Sequence, residues 1–140
     1  QIQDCYSQAI SYGGVDTDSA IEHLFEVIES SPGTSSRPSD YINAHPMEYR
    51  ELTYYGNNTL QYIFSRFLMG RQTGLHGHLM RTVLDELAPE AQLRLDAETG
   101  QAYFDQWKAA AIRVSEQHDM EWIKENQPAI FLLLQMIHES

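Results

Sequence analysis

The chain has 140 residues, of which 42% are apolar and 21% are charged; this composition is typical of a globular domain and excludes disorder over the whole length. Twenty acidic residues outnumber nine basic ones, so the net charge is −11 with neutral histidines. A field of that sign repels nucleic acid and anionic lipid, and it favours a protein or peptide partner with a basic surface, although solubility alone also explains it.

The single cysteine, Cys5, excludes an internal disulfide. The chain begins at Gln1 rather than at methionine, which indicates a processed or excised piece whose leader or anchor would lie outside it. The longest apolar stretch, residues 129–134, is far shorter than the ~20 residues that cross a bilayer. We therefore expect no direct membrane insertion by this segment.

Residues 1–15 are polar and are expected to form a loose N-terminal arm or a short helix. An amphipathic helix is predicted over 17–31, with Asp16 or Asp18 as its cap. Its apolar residues recur at the spacing of one helical face: Ile21, Leu24, Phe25 and Ile28. Residues 32–40 are rich in proline, glycine and serine, so this stretch is predicted to be a loop.

A helix over 46–69 is predicted next, because Pro46 suits a first helical position and apolar residues follow at helical spacing. Gly56, with two asparagines after it, is a weak point in what is expected to be one long helix. Thr73 is predicted to cap the following helix, which runs to about Leu87. Within that helix, Gly77 is expected at a close contact with another helix.

Thr99 is predicted to cap a helix that runs to about His118, and residues 119–125 continue as helix, directly or after a break. The last helix, 128–138, is apolar on nearly every side, which predicts a central position in the core. No segment alternates apolar and polar residues between turn residues, so no sheet is expected. The expected fold is all-α: a single helical domain, 1–140, forming an irregular bundle of five to seven helices with the apolar C-terminal helix central.

His76 and His78 are the candidate metal ligands. Two imidazoles two residues apart can chelate a metal ion from an extended segment. On the predicted helix, however, they point about 200° apart. No second ligand pair accompanies them, so we predict no metal site and no cofactor.

No nucleophile motif and no phosphate-binding loop occurs in the chain, so no catalytic residue is assigned. Carboxylates such as Glu48 and Asp85 could carry acid–base chemistry if the fold buried one of them in a cleft. Each also suits an exposed helical face, and spacing in the sequence does not show two carboxylates converging.

Five of the eight tyrosines fall within residues 41–62. Tyr54 and Tyr55 cannot both face the core, because adjacent helical positions lie about 100° apart. Exposed tyrosines near acidic residues suit recognition of a peptide or a cation, which makes Tyr49, Tyr54, Tyr55 and Asn57 the candidate binding residues. The alternative is that the tyrosines frame a helical core and keep their hydroxyls in water.

Five motifs stand at residues 38–80 and 126–136: Ser39-Asp40-Tyr41-Ile42, His45-Pro46-Met47-Glu48-Tyr49, Tyr55-Gly56-Asn57, Gln72-Thr73-Gly74-Leu75 and Asn126-Gln127-Pro128. With these motifs the chain resembles an uncharacterised helical domain of Gram-positive bacteria. That domain occurs in secreted or lipid-anchored proteins and beside membrane proteins related to β-lactam-sensing zinc peptidases. The resemblance implies a place outside the membrane and a sensing or interaction role. The peptidase motif His-Glu-x-x-His is absent, so no peptidase activity and no functional residue is transferred.

These observations favour a non-enzymatic extracytoplasmic binding or sensor module of a bacterial protein, either secreted or membrane-anchored. A hydrolase with a site of dispersed carboxylates and histidines, and a structural spacer domain without a ligand, stay open as alternatives. An enzyme predicts a cleft in which Glu, Asp or His side chains converge. A binding module predicts an exposed apolar or tyrosine-lined surface, and a spacer predicts neither.

Overall fold

A computed structural model of the chain describes residues 14–35, 37–88 and 98–139, without the side chains of 14–16 and 139. These residues form eight helices and no strand, which confirms the all-α class. The helices are α1 (Gly14–Glu29), α2 (Pro38–Ala44), α3 (Pro46–Tyr54), α4 (Asn57–Met69), α5 (Leu75–Leu87), α6 (Gly100–Gln117), α7 (Met120–Asn126) and α8 (Pro128–Glu139). Cys5 and nearly all of the expected N-terminal arm lie outside the described residues.

The chain divides into two compact units, Gln1–Tyr62 and Ile63–Ser140, and the boundary falls within α4. Among the described helices, α1, α2 and α3 belong to the first unit. The second unit contains α5, α6, α7 and α8. The single domain over 1–140 stays a prediction.

In the first unit, α1 shows the predicted amphipathic pattern and packs against α2 and α3. Its four apolar side chains are buried: Ile21, Leu24, Phe25 and Ile28. The predicted caps are wrong, because α1 already includes Gly14 and so contains Asp16 and Asp18. The predicted loop 32–40 is too long, because α2 begins at Pro38, whose fixed φ and missing N–H suit a first helical position.

The predicted long helix 46–69 is wrong, because Tyr55 and Gly56 separate α3 from α4. Gly56 has a φ of +55°, in the left-handed region, and its N–H donates to the Thr53 carbonyl over 3.1 Å. The fully buried Thr59 hydroxyl donates to the Leu52 carbonyl over 2.7 Å. The hydroxyl thereby donates to a carbonyl in the last turn of α3, where the helix itself supplies no N–H donor. This break and a second one at His118 bring the described residues to eight helices, above the expected five to seven.

In the second unit, α6 packs against α5, α7 and α8, and α7 also packs against α8. An aromatic cluster of buried side chains joins α4 to α6: Phe64, Phe67, Phe104 and Trp107. In α8 the buried side chains include Ile130, Leu133 and Leu134. None of the described helices combines the length and the hydropathy that crossing a bilayer requires.

The helix starts of the second unit follow the local sequence only in part. Thr99 caps α6 as predicted, since its hydroxyl accepts a hydrogen bond from the Ala102 N–H over 3.0 Å. The predicted cap at Thr73 is wrong, because Gly74 is the capping residue of α5. Gln101 binds both backbone groups of Gln72, at 3.0 and 3.1 Å. This contact ties Gln72, in the loop before α5, to the start of α6.

Two glycines allow α5 and α6 to meet backbone to backbone. A Cβ on Gly100 would lie 2.9 Å from the Gly77 Cα and closer still to the Gly77 carbonyl. A Cβ on Gly77 would lie 2.9 Å from the carbonyl carbon of Gln72. Both distances are shorter than side chains tolerate, so the predicted close contact at Gly77 is confirmed.

Candidate functional site

Among the described residues of the first unit, the outer side of α3 carries the most exposed large apolar side chains. Tyr54 is 86% exposed and Met47 is 65% exposed. Met47 and Tyr54 are seven positions apart, so they lie on the same helical face, and the exposed side chains of Arg50 and Glu51 lie between them. We call these four residues the α3 surface. It combines an aromatic ring, a thioether and charges of both signs on one rigid helix.

The corner between α3 and α4 extends this surface. The rings of Tyr54 and Tyr55 meet edge to face, with their centroids 6.4 Å apart. Tyr55 is half-buried, and its burial raises the pKa of its hydroxyl. Asn57, the first residue of α4, is exposed. Three of the predicted binding residues, Tyr54, Tyr55 and Asn57, therefore stand at one corner.

Tyr49, the fourth predicted binding residue, is half-buried and stands apart from the α3 surface. It precedes Tyr54 by five positions, which turns its side chain about 140° away around the helix. Met47 is a member of the α3 surface that the sequence analysis missed. Its spacing of seven positions from Tyr54 indicates a shared helical face. The sequence does not indicate which face of α3 is buried, so the exposure of Met47 could not be predicted.

Two other tyrosines of the 41–62 region frame the core of the first unit. Tyr41 is buried and its hydroxyl donates to the Ser35 carbonyl over 2.6 Å. Tyr62 is buried, stacks on Phe25 at 5.7 Å between centroids, and points its hydroxyl at Glu22 over 3.4 Å. For these two, the rings frame the core as the alternative predicts, but the hydroxyls that it places in water contact protein oxygens instead.

His76 and His78 lie in the first turn of α5 and are both half-buried. Their helical positions direct the two imidazoles about 200° apart, so they do not form a chelating pair. Within residues 14–35, 37–88 and 98–139, no group of three or more His, Cys, Asp or Glu side chains is placed to hold a metal ion. The two histidines therefore remain separate side chains of one helix.

Asp85 belongs to the clearest polar cluster of the second unit. The hydroxyl of buried Tyr103 donates a hydrogen bond to the Asp85 carboxylate, and the Arg81 guanidinium carbon lies 4.3 Å from the centre of the Tyr103 ring. Burial, followed by the bond to Asp85, raises the pKa of Tyr103 well above its ordinary value of 10.0. Tyr103 therefore stays a protonated donor at neutral pH and does not act as a base.

The raised pKa of Tyr103 gives the protein an expected loss of stability in alkali. The folded state keeps this proton to higher pH than the unfolded chain, so the contribution is complete below pH 10.0 and is lost as pH rises toward the folded pKa. In urea unfolding between pH 9 and pH 11, about one unit either side of the free tyrosine pKa, the decline should be shallower in Tyr103→Phe. Asp85→Asn should lie between them, and equal slopes in all three proteins would contradict the assignment.

A shallow depression of about 260 Å³ lies along α6. Its described lining consists of Asp105, Lys108, Ala109 and Ile112, which share one face of that helix. It holds no converging set of acid, base and nucleophile. The α3 surface and its corner therefore form the candidate binding site.

Comparison of the chain with protein-family models, with curated proteins and with solved structures found no match.

Proposed function

We propose that the chain is an extracytoplasmic binding or sensor module whose α3 surface binds a basic segment of a partner protein. The observation that carries this proposal is the exposure of Tyr54 and Met47 on one face of a regular helix, at 86% and 65%. A lone exposed apolar side chain is common, but an aromatic and a methionine on the same helical face are typical of a contact surface.

The chemistry of the α3 surface matches a cationic side chain. The face of Tyr54 attracts a lysine or arginine head group, and the exposed carboxylate of Glu51 stands three positions away on the same helix. Met47 adapts to aliphatic side chains of different shape, because its chain is unbranched and flexible. The net charge of −11 steers a basic partner toward the chain, and Arg50 favours a partner with an acidic side chain next to its basic ones.

The extracytoplasmic location rests on the resemblance of residues 38–80 and 126–136 to the helical domain of Gram-positive bacteria. The location is tested by joining alkaline phosphatase, which is active only outside the cytoplasm, to the protein in its natural full length. An inactive fusion that is expressed at normal level would contradict it. We also propose that the apolar α8 is the centre of the helical bundle, which the burial of Ile130, Leu133 and Leu134 supports.

The binding proposal is tested by titrating the ¹⁵N-labelled protein with a short peptide of alternating lysine and leucine. Amide shifts should concentrate in residues 46–58, and Tyr54→Ala should weaken binding about tenfold, as truncation of an aromatic anchor does. Because Tyr54 is 86% exposed, this change should leave the helix content intact.

Two methionines provide a matched control for the same titration. Met47→Ala should weaken binding of the peptide, whereas Met69→Ala, at a site that is 74% exposed at the end of α4, should not. A glutamate–leucine peptide of equal length should not bind. Equal affinity of both peptides, or a Tyr54→Ala protein that binds like the wild type, would overturn the proposal.

A further inference from the structure

Three side chains of the first unit lie in a row near the start of α3, six or more positions before Tyr54. Ser31 Oγ lies 2.8 Å from His45 Nε2, within hydrogen-bond distance. His45 Nδ1, on the opposite edge of the ring, lies 3.9 Å from Glu48 Oε1. The side chains of His45 and Glu48 are 18% and 33% exposed, and Ser31 is half-buried. We call this array the Ser31 relay.

The backbone holds the relay residues in place. His45 links α2 to α3: its N–H donates to the Ile42 carbonyl, and its own carbonyl accepts from the Tyr49 N–H, both over 3.1 Å. Glu48 follows three positions later, which puts its side chain on the same side of the chain as the imidazole. Ser31 follows the end of α1, and α1 packs against both α2 and α3.

The neighbouring serine makes a different kind of contact from that of Ser31. Ser30 uses its hydroxyl in the way that serines at helix ends usually do, by donating to the Val27 carbonyl over 2.6 Å. Ser31 instead directs its hydroxyl at a ring nitrogen fourteen residues away. It precedes Pro32 and Gly33, which are both exposed, so the hydroxyl lies at the edge of an open loop.

We propose that Ser31 is a nucleophile activated by His45, with Glu48 as the group that orients the imidazole. This goes beyond a binding role and departs from the non-enzymatic expectation. The arrangement has the order that nucleophilic serines require: hydroxyl to one ring nitrogen, carboxylate to the other. The carboxylate favours the tautomer with the proton on Nδ1, which leaves Nε2 free to accept the serine proton. The 3.9 Å between His45 Nδ1 and Glu48 Oε1 is longer than a hydrogen bond, so the proposed role of Glu48 requires this contact to tighten when substrate binds.

The expected substrates are esters with a good leaving group. Ser31 Oγ bonds to the ester carbonyl carbon while its proton passes to His45 Nε2. The bond from that carbon to the leaving oxygen then breaks, and the leaving group takes the proton from Nε2. Water attacks the acyl-serine, passes a proton through Nε2 to Ser31 Oγ, and releases the carboxylic acid. No oxidant, reductant or metal ion enters this sequence.

Diisopropyl fluorophosphate tests the nucleophile directly. Ser31 Oγ should form a bond to phosphorus and release fluoride, and peptide mapping by mass spectrometry should place the diisopropylphosphoryl group on Ser31. His45→Gln should slow this labelling by about 100-fold or more, the usual effect of removing a general base. Glu48→Gln should slow it less, and p-nitrophenyl acetate hydrolysis should fall in parallel.

Ser30→Ala is the matched control and should label like the wild type, because its hydroxyl bonds to the Val27 carbonyl and not to His45. Circular dichroism establishes that each variant is folded. The wild-type protein alone tests the proposal: the absence of the diisopropylphosphoryl group, or its presence on a residue other than Ser31, would overturn it. An unchanged labelling rate in folded His45→Gln would overturn it as well. Neither result bears on peptide binding by the α3 surface.

Discussion

Replacing Phe104 with alanine is expected to lower the free energy of unfolding by about 3–5 kcal/mol. The Phe104 side chain is 1% exposed and stacks on Phe67, with the ring centroids 4.8 Å apart. It also packs against Phe64, whose ring centre is 6.0 Å away and which in turn contacts Trp107. Truncation removes a buried ring and leaves a cavity that rigid aromatic neighbours fill poorly, so both the transfer and the cavity contributions are lost.

Urea unfolding followed by circular dichroism measures this change, and Trp107 fluorescence reports on the same cluster. The matched control is Ile112→Ala on the same helix, at a side chain that is 41% exposed. It should change the unfolding free energy by no more than about 0.5 kcal/mol. A loss below about 1 kcal/mol for Phe104→Ala would show that the aromatic cluster is not the core of the second unit.

Replacing Gly100 with alanine is expected to destabilise the protein by about 3 kcal/mol, at the upper end for adding a methyl group to a packed interior. Gly100 is the first residue of α6, and alanine has a higher helix propensity than glycine. Helix propensity alone would therefore predict that Gly100→Ala stabilises the protein. The added Cβ, however, would lie 2.9 Å from the Gly77 Cα and closer to its carbonyl. Both obstacles are backbone atoms, so no side-chain rotation relieves the clash.

Relief of the clash at Gly100 requires α5 and α6 to separate. Separation would weaken the hydrogen bonds between Gln101 and Gln72, which hold the loop between α4 and α5. Thermal unfolding measures the effect, with Gly74→Ala as the control. A Cβ at Gly74 has no heavy atom within 4 Å, and its cost should stay below about 1 kcal/mol, the loss for alanine at a helix cap. Equal or inverted effects of the two substitutions would contradict the close helix contact.

The α3 surface and the Ser31 relay use different side chains of the first unit. The α3 surface relies on side chains at positions 47–54 that point to solvent, so its variants should alter binding and leave stability unchanged. The Ser31 relay relies on half-buried side chains from the loop after α1, from the α2–α3 connection and from α3, so its variants should alter reactivity. Tyr54→Ala therefore tests peptide binding by the α3 surface, and His45→Gln tests the reactivity of Ser31.

Several helix boundaries were readable from local sequence because the determining contacts span only a few residues. Pro46 and Pro128 begin α3 and α8, and each supplies the φ angle that a first helical position needs. The Thr99 hydroxyl bonds an N–H three residues away, so the cap and its acceptor lie in one short segment. Thr73 is the same residue type but does not cap α5, which begins one residue later with Gly74 as its cap, and the neighbouring Gln72 bonds to Gln101, 29 positions away.

The candidate sites were less predictable, because exposure and proximity depend on packing. Helical geometry predicts that Tyr54 and Tyr55, as adjacent residues, do not both face the core. Only the break at Gly56 and the packing of α1 on α3 decided that Tyr54 is the exposed one. No catalytic motif in the sequence links Ser31 to His45, which stand fourteen positions apart. Their contact follows from the way α1, α2 and α3 meet.

By itself, the sequence determined the all-α class, the buried face of α1, the start of α6 and the acidic charge. These properties depend on composition, on helical periodicity and on hydrogen bonds within one turn. Tertiary structure alone decided the break between α3 and α4, the exposure of Tyr54, the pairing of Gly77 with Gly100 and the Ser31 relay. The physical reason is that each of these depends on which distant backbone or side chain comes into contact, and a helix that satisfies its own hydrogen bonds can pack in many ways.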